Sequence, residues 1–476
     1  MEKRNITNEK PVVIVGAGLA GSEAALQLAR RGFRVNLHEM RPAVGTPVHK
    51  TGYAAELVCS NSLKSVKPAS AAGMQKHELD RLESFLYRQA KSDAVPAGGA
   101  LAVDRDEFAR HVTEALEQNP NIALVRGEVT SIEALAADAS AVIVASGPLT
   151  SDALAADVAR LAGEESLAFF DAAAPIVTAE SLDMTRVFRQ SRYEDASDAQ
   201  GAEQGDYLNA PFDKEQYEAF VGELVNADRT ILRDFETRDL FQACQPIEEI
   251  ARKGRDAPRF GTLKPVGLTD PRTGSRPWAA LQLRAENADR TAYNLVGFQT
   301  NLKFGEQQRV FRMIPGLEHA EFVRYGVMHR NTFIDAPRLL DASLRLRTPQ
   351  ADALAAPVLV AGQLAGTEGY CEAIRSGLHA ALSVAAVLMG IEPVALPRET
   401  AFGALLAYAT DPQTADYQPM HVNFGIMPPL DQHRRNKRER YEAYAERGAA
   451  ALESYVAALA RVGLLDNAAD DGGVER

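Results

Sequence analysis

The fold is decided by residues 11–39, which read PVVIVGAGLAGSEAALQLARRGFRVNLHE. The stretch opens with a short apolar, β-branched run that is typical of a buried parallel strand. The glycine spacing GxGxxG follows at Gly16, Gly18 and Gly21. A helix over residues 22–31 and a second strand over residues 33–38 come next. These glycines allow a tight turn and the close approach of a pyrophosphate, with the helix N-terminus facing the phosphates. The sequence therefore predicts a dinucleotide-binding βαβ unit.

An acid closes this unit. Glu39 lies 23 residues after Gly16, where a carboxylate can accept the hydroxyls of a ribose. A carboxylate there favours an adenosine ribose without a 2′-phosphate, so we expect FAD or NAD and not NADP at this site. The alternative is a glycine-rich turn in some other α/β unit.

Length and composition restrict the class of protein. The chain has 476 residues, enough for two or three domains, and its hydrophobic content of 46% is ordinary for a globular protein. The charged start MEKRNITNEK is unlike a signal peptide, and the apolar run 380–391 is too short to span a bilayer. Only three cysteines are present, which argues against a disulfide framework. We therefore expect a cytoplasmic protein without a membrane partner.

Charge is distributed unevenly along the chain. The formal net charge is −12, but residues 251–276 hold seven Lys or Arg against two acids. Residues 433–440, HRRNKRER, hold five against one. A local basic patch on an acidic protein is compatible with docking a polyanion. We assign that role to residues 251–276 and interpret 433–440 as the solvated face of a C-terminal helix.

Two later strands return the chain to the cofactor. Residues 141–145 read AVIVA and lead to Gly147. Residues 357–362 read PVLVAG, and a glycine-rich segment with Gly369 precedes an apolar helix over 378–389. We predict an α/β protein with a Rossmann-like FAD-binding domain split in sequence and an inserted α/β domain. The predicted boundaries are 1–180 and 325–476 for the two parts of the FAD-binding domain, and 181–324 for the inserted domain.

The cysteines are candidates for covalent chemistry. Cys59 stands in the segment ELVCSNS, whose small polar residues can donate hydrogen bonds to a thiolate. Cys244 precedes a predicted helix that starts near Pro246, and the helix dipole favours a thiolate there. Either thiol alone equally suits a buried packing residue, and we favour packing for Cys371. No His, Cys and Asp spacing is typical of a metal site, so we predict no metal.

Many segments together resemble one family, the folate- and FAD-dependent tRNA (uracil-5-)-methyltransferases, or TrmFO family, within the MnmG/TrmFO flavoprotein superfamily. The matching segments include GAGLAGSEAA, EMRP, AELVCSNSL, SGPLTS, FFDAAAPIV, CQPIEEIARKG, LKPVGL, YNLVGFQTNLKFGEQQRVFRMIPGL, RYGVMHRNTFI, GTEGYCEAIRSGL and YQPMHVNFGIMPPL. Together they span residues 12–430. The chain departs from the family pattern at Ala210, where a cysteine is usual, and at Cys371, Ile374 and Arg375.

The resemblance implies an enzyme that forms 5-methyluridine at position 54 in the T-loop of tRNA. The carbon would come from 5,10-methylenetetrahydrofolate and the electrons from NADH or NADPH through FAD. A thiolate adds to C6 of uracil so that C5 can attack the methylene carbon. The resemblance implies that Cys244 is this nucleophile and that Cys59 assists near the flavin. The predicted FAD-binding residues are Gly16, Ala17, Gly18, Leu19, Ala20, Gly21, Glu39, Arg41, Gly147, Gly362 and Gly369.

Other functions stay open at this stage. One is an MnmG-like flavoenzyme that acts on the wobble uridine of tRNA. A second is a flavin oxidoreductase of small molecules, which would need neither tRNA nor folate. A third is a non-catalytic tRNA-binding protein that FAD stabilises. The sequence does not indicate the oligomeric state or the preferred nicotinamide.

Overall fold

The computed structural model describes most of the chain: residues 10–46, 48–163, 167–172, 174–192, 205–230, 245–326, 328–414, 417–432 and 434–465. For 167–172 and 328–331 it describes the backbone only. Three features of the sequence lie outside these described residues: Cys244, most of the acidic loop 193–206, and the tail from residue 466.

The described secondary structure is mixed α/β. The strands are β1 (Val12–Val15), β2 (Val35–Glu39), β3 (Ser62–Ser65), β4 (Ala94–Val95), β5 (Ala100–Val103), β6 (Ile122–Arg126), β7 (Ala141–Val144), β8 (Leu167–Ala172), β9 (Ile176–Thr178), β10 (Phe188–Arg189), β11 (Tyr207–Phe212), β12 (Ala279–Ala285), β13 (Ala292–Leu295), β14 (Phe322–Arg324), β15 (Met328–Phe333) and β16 (Val358–Val360). The helices are α1 (Leu19–Arg30), α2 (Ala71–Arg81), α3 (Phe85–Ser92), α4 (Arg105–Glu117), α5 (Ile132–Ala137), α6 (Asp152–Ala162), α7 (Lys214–Asn226), α8 (Ile247–Lys253), α9 (Ala257–Phe260), α10 (Phe304–Phe311), α11 (Ala336–Leu339), α12 (Pro349–Asp352), α13 (Tyr370–Leu388), α14 (Ala401–Thr410) and α15 (Lys437–Arg461), with a 3₁₀ turn at Gly362–Ala365.

A five-stranded parallel sheet forms the cofactor side of the molecule. Its strand order is β16-β7-β1-β2-β6, and every neighbouring pair is parallel. Strand β16 pairs with β7 although more than 200 residues separate them in the chain. The sequence-predicted split of a Rossmann-like domain is therefore confirmed. Parallel strands of this kind carry ligands at their carboxyl ends, and both β1 and β16 end in glycine-rich turns.

Helices α1 and α13 pack closely on this sheet. An ideal Cβ on Gly377 would lie 2.0 Å from the backbone oxygen of Ala20, so only glycine fits at this crossing. Helix α13 begins at Tyr370, eight residues before the predicted start. Its 19 residues are long and apolar enough to cross a bilayer, but 83% of the apolar window is buried inside the molecule. Its position is that of a core helix.

A second, antiparallel sheet has the strand order β10-β11-β12-β13-β9-β14. Helices α7, α8 and α10 contribute Phe220, Ile247 and Phe311 to the apolar core that this sheet shares. The two chain segments that lead into and out of this unit, β8 and β15, pair with each other as an antiparallel ribbon. Because β9 and β14 belong to the second sheet, the inserted unit begins close to residue 176 and ends close to residue 324. The boundaries 1–180, 181–324 and 325–476 stay a proposal.

Candidate active site

One cavity lies at the carboxyl end of the parallel sheet and takes its walls from both parts of the split domain. Nine of the predicted cofactor residues line it: Gly16, Gly18, Leu19, Ala20, Glu39, Arg41, Gly147, Gly362 and Gly369. Cys59 and Tyr370 line it as well. The fold therefore brings together residues as far apart in the sequence as Gly16 and Tyr370, which are separated by 354 positions.

The remaining two predicted residues, Ala17 and Gly21, lie outside the lining and shape the turn. The backbone amide of Ala17 donates a hydrogen bond to Oε2 of Glu39 at 3.0 Å. A Cβ on Gly21 would lie 1.9 Å from the backbone oxygen of Gly16, which leaves room for glycine only. Gly16 has a φ of +101°, and a Cβ there would meet the backbone of Ala145 at 2.6 Å. The turn is thus built from positions that exclude larger residues.

The cavity fits a dinucleotide. A Cβ on Gly18 or Gly147 would meet no atom within 4 Å, so the backbone at both positions is open to a ligand. Gly18 caps helix α1, whose N-terminal amides and positive dipole end favour phosphate. Strand β16 leads to Gly362, which also lines the cavity and where a Cβ would lie 3.0 Å from that of Ala20. This donor set and these open glycines match the pyrophosphate and ring of a flavin dinucleotide.

Glu39 is held at the end of β2 by charge. Its Oε1 accepts hydrogen bonds from the Arg41 backbone amide at 3.0 Å and from Arg41 Nε at 2.8 Å. The same guanidinium reaches Glu56 Oε2 at 3.2 Å. Burial acts to raise the pKa of Glu39, but the hydrogen bond and charge of Arg41 outweigh it and lower the pKa. Glu39 is therefore an anionic acceptor on the cavity wall.

His49 is a neutral group in the same wall. Its Nδ1 lies 2.7 Å from the hydroxyl of Thr46. Burial, together with the positive charge of Arg41, lowers the pKa of His49 to about 4. The imidazole is consequently uncharged at neutral pH and presents a polar, aromatic surface to the cavity.

The loop that carries Cys59 is fixed at its backbone. The phenolic oxygen of Tyr370 accepts hydrogen bonds from the amides of Cys59 and Ser60, at 3.0 and 3.1 Å. Arg105 Nη1 donates to the carbonyl of Leu57 at 2.8 Å, and Arg324 donates to the carbonyl of Val58. Both the backbone amides and the backbone carbonyls of the loop are therefore hydrogen-bonded.

These contacts come from three regions of the chain. Arg105 begins helix α4, Arg324 ends strand β14 of the second sheet, and Tyr370 begins helix α13. Arg105 and Arg324 are buried, and Glu286 pairs with Arg105 at 2.9 Å. Burial and the neighbouring charge of Arg105 lower the pKa of Arg324. The guanidinium groups of Arg105 and Arg324 favour negative charge on the Cys59 loop that they bind.

Sequence reasoning missed Tyr370, Arg105 and Arg324. Tyr370 and Arg324 stand in the quoted segments GTEGYCEAIRSGL and RYGVMHRNTFI, which were the available signals, whereas Arg105 stands in a segment without a motif. Cys371 is buried, and burial raises the pKa of its thiol to about 11, which suits a packing residue. Within the described ranges, no group of three or more His, Cys, Asp or Glu side chains could hold a metal ion.

Comparisons with known proteins show the family of this chain. The family model described as "GIDA: Glucose inhibited division protein A" matches residues 11–392. A protein of Pelotomaculum thermopropionicum is 51% identical over 94% of this chain and 97% of its own length. One of Symbiobacterium thermophilum is 52% identical over 96% of this chain and 100% of its own length. Both are named methylenetetrahydrofolate–tRNA-(uracil-5-)-methyltransferase TrmFO.

The chain belongs to the TrmFO family. The broader GIDA family contains it as well, and a solved structure agrees at the level of fold. Aquifex aeolicus GidA superposes with a TM-score of 0.65 at 16% identity, covering 94% of this chain and 73% of that one. The relatives therefore confirm the TrmFO family that the sequence predicted.

Proposed function

We propose that this protein is a methylenetetrahydrofolate–tRNA-(uracil-5-)-methyltransferase that makes 5-methyluridine at position 54 of the tRNA T-loop with FAD as cofactor. The observation that carries the proposal is the position of Cys59 on the wall of the cavity that the Gly16 turn and Gly369 also line. Relatives about half identical over nearly the full chain bear this enzyme's name.

Gly16, Gly18, Glu39, Gly147, Gly362 and Gly369 would hold the FAD. Bound FAD would supply, once reduced, the two electrons by which a methyl group differs from a methylene group. NADH or NADPH is the proposed reductant. Because the sequence has no second complete GxGxxG and acid unit, we infer that the nicotinamide visits the cavity and leaves. We place the reaction in the cytoplasm, where tRNA is modified.

The protein's own residues supply the covalent chemistry. Carbon C5 of uracil is a weak nucleophile, and addition of a thiolate to C6 makes it enolate-like. We assign this addition to Cys244. C5 then bonds to the methylene carbon as one carbon–nitrogen bond of the folate breaks, and C5 loses its proton. When the second carbon–nitrogen bond breaks and tetrahydrofolate leaves, the two electrons and a proton that reduced FAD would supply complete the methyl group, and the thiolate leaves C6. We assign to Cys59, which Tyr370 and two arginines fix in place, the assisting role beside the cofactor.

The test is a transfer assay with purified protein, an unmodified tRNA transcript, NADH or NADPH, and methylenetetrahydrofolate labelled in its methylene carbon. Label should enter the wild-type tRNA and not a transcript with cytidine at position 54. Label that depends on the wobble uridine would favour an MnmG-like activity. Consumption of NAD(P)H without tRNA or folate, and with no labelled tRNA, would favour a small-molecule oxidoreductase and overturn the proposal.

A further inference from the structure

A strap of the chain, residues 417–430, runs along the outer side of the cavity wall. The amide of Glu368 donates to the carbonyl of Met420 at 3.0 Å. The amide of Val422 donates to Oε1 of Glu372 at 3.3 Å. Glu368 itself lines the cofactor cavity. The strap is therefore hydrogen-bonded directly to the wall of the cavity in which the reaction would take place.

Aromatic stacking joins the strap to helix α15 (Lys437–Arg461). The ring of Phe424 lies 4.2 Å from that of Tyr441 and 5.2 Å from that of Tyr444, with interplanar angles of 28° and 30°. Such pairs stabilise a contact beyond the apolar area that they bury. Arg447 adds a hydrogen bond to a strap carbonyl at 2.7 Å. The start of the helix thus has a fixed position relative to the cavity.

Positive charge concentrates at this start. Arg434, Arg435 and Lys437 are exposed, Arg440 is half-buried, and within the described part of the chain none of the four forms an ion pair. The Lys437 ammonium and the Arg440 guanidinium lie 5.4 and 5.8 Å from the centre of the Tyr441 ring. Arg438 differs, because Glu442 pairs with it at 2.8 Å.

In the basic run 251–276, which the sequence favoured for tRNA contact, several cations already bind other groups of the protein. In residues 251–276, Arg252 donates to a backbone carbonyl and lies 3.7 Å from Glu249. Arg272 pairs with Asp270 at 2.7 Å. Arg259 stacks on the Trp278 ring at 3.7 Å and donates to its carbonyl. Lys253 donates a hydrogen bond to Oε1 of Gln245 at 2.6 Å. Four of the seven cations in that run therefore form contacts within the protein.

We propose that the surface formed by Arg434, Arg435, Lys437 and Arg440 on the aromatic stack is where the RNA substrate docks. The proposal rests on the proposed function, because it takes the occupant of the neighbouring cavity to be a uracil in tRNA. A protein of net charge −12 repels a polyanion over most of its surface, so an unpaired basic surface that the strap connects to the cavity wall decides where phosphates can settle. The rigid attachment holds those phosphates at a fixed distance from the reacting base.

The experiment replaces all four cations with glutamine, as Arg434→Gln, Arg435→Gln, Lys437→Gln and Arg440→Gln together. The affinity for an unmodified tRNA transcript is measured over a range of KCl concentrations. Each lost phosphate contact lowers the slope of log affinity against log salt by about 0.7–0.9. We expect the slope to fall by about 3 and the affinity at low salt to fall at least 10-fold. Three of the four side chains are exposed and Arg440 is half-buried, so we expect the variant to fold, and its FAD content and melting temperature report whether it does.

A matched variant carries Arg252→Gln, Lys253→Gln and Arg255→Gln in the other basic run. We expect its slope to change by less than about 1. An unchanged slope in the fourfold variant, or a larger loss in the threefold one, would overturn the docking surface. If the wild type binds and methylates tRNA and the fourfold variant has the same affinity and salt slope, only the docking surface is refuted. A wild-type protein that transfers no label would refute the proposed function instead.

Discussion

Tyr370 holds the backbone of Cys59: its phenolic oxygen accepts the Cys59 amide at 3.0 Å across 311 positions of sequence. The same oxygen accepts the amide of Ser60. Burial raises the pKa of Tyr370 far above its ordinary value, so the hydroxyl keeps its proton and can still donate it. One side chain from the second part of the FAD-binding domain thereby orients the thiol-bearing loop of the first.

The first prediction concerns Tyr370→Phe. Loss of the hydroxyl leaves two inward-facing amides without an acceptor, at a cost of about 1–3 kcal/mol each when such groups are buried. We expect methyl transfer to slow at least 10-fold while FAD stays bound, because the loop no longer fixes the thiol. Single-turnover label transfer and the rate of Cys59 alkylation by iodoacetamide measure this.

The control for Tyr370→Phe is Tyr217→Phe. The Tyr217 hydroxyl donates to the carbonyl of Arg255 at 2.7 Å in the second sheet's unit, away from the cavity lining. This variant should lose stability without changing the alkylation rate of Cys59. Equal alkylation rates in wild type and Tyr370→Phe would show that the phenol does not position the thiol.

A second prediction concerns the buried ion pair between Arg105 and Glu286, which joins the cofactor side to the second sheet at 2.9 Å. Removing one partner of a buried pair typically costs about 3–5 kcal/mol, because the other charge stays buried and uncompensated. We expect Glu286→Gln to lower the free energy of unfolding by this amount. Arg105→Gln and Glu286→Gln together should cost less than the sum of the single changes. Additive effects in urea unfolding would contradict direct coupling.

Much of the fold was predictable because local signals encode it. Strand, glycines, helix, strand and acid appear in order between residues 11 and 39, and the structure places β1, α1 and β2 there. Helix α13 was predicted too short for a physical reason. Its first turns bury Glu372 and Arg375, whose charges interrupt the apolar pattern that marks a core helix. Arg375 lies 3.6 Å from buried Glu78 and over the ring of Phe402, contacts that no local pattern reveals.

The site was predictable where one motif carries it. Gly16, Gly18 and Glu39 follow from a single segment and line the cavity. Arg105 and Arg324 act on the Cys59 loop only because tertiary structure brings α4 and β14 to it. Their sequence neighbourhoods carry no sign of that contact. The predicted pairing of Cys59 with Cys244 stays a prediction, since Cys244 lies outside the described residues.

A third prediction separates the thiols. Cys244→Ala should abolish label transfer to tRNA without loss of FAD, because no other group is assigned to attack C6 of uracil. Cys59→Ala should reduce transfer by at least 100-fold. The matched control is Cys371→Ala, which removes a buried thiol outside the cavity lining and should retain transfer. Full activity in Cys244→Ala would contradict the assigned nucleophile.

A fourth prediction concerns cofactor affinity. Glu39→Gln keeps an acceptor for the Ala17 amide but removes the negative charge that Arg41 and a ribose would share. We expect the dissociation constant of FAD to rise about 10- to 100-fold, equivalent to about 1.4–2.8 kcal/mol. Quenching of flavin fluorescence on titration measures it. The control is Glu23→Gln. Glu23 is a buried carboxylate in the same helix–strand unit and does not line the cavity, so this variant should keep its FAD affinity.

The last prediction is a pH dependence at Glu248, which lies in helix α8, four positions after Cys244. Its carboxylate accepts the Asn301 amide at 2.6 Å and the Thr300 hydroxyl at 3.0 Å. Burial nevertheless raises the pKa of Glu248 from 4.5 to about 7. The folded protein therefore binds this proton more tightly than the unfolded chain does between those values. Stability from this group is full below pH 4.5 and is lost as pH rises through 7, by about 3 kcal/mol.

Glu248→Gln tests that sign, because the amide keeps an acceptor for Asn301 and can donate to Thr300 while it no longer titrates. The difference in unfolding free energy between variant and wild type should shift in favour of the variant from pH 4.5 to pH 8. Urea unfolding at several pH values measures the shift. Parallel profiles of the two proteins would mean that Glu248 does not titrate in this range. A shift in the opposite direction would mean that its hydrogen bonds to Asn301 and Thr300 outweigh its burial.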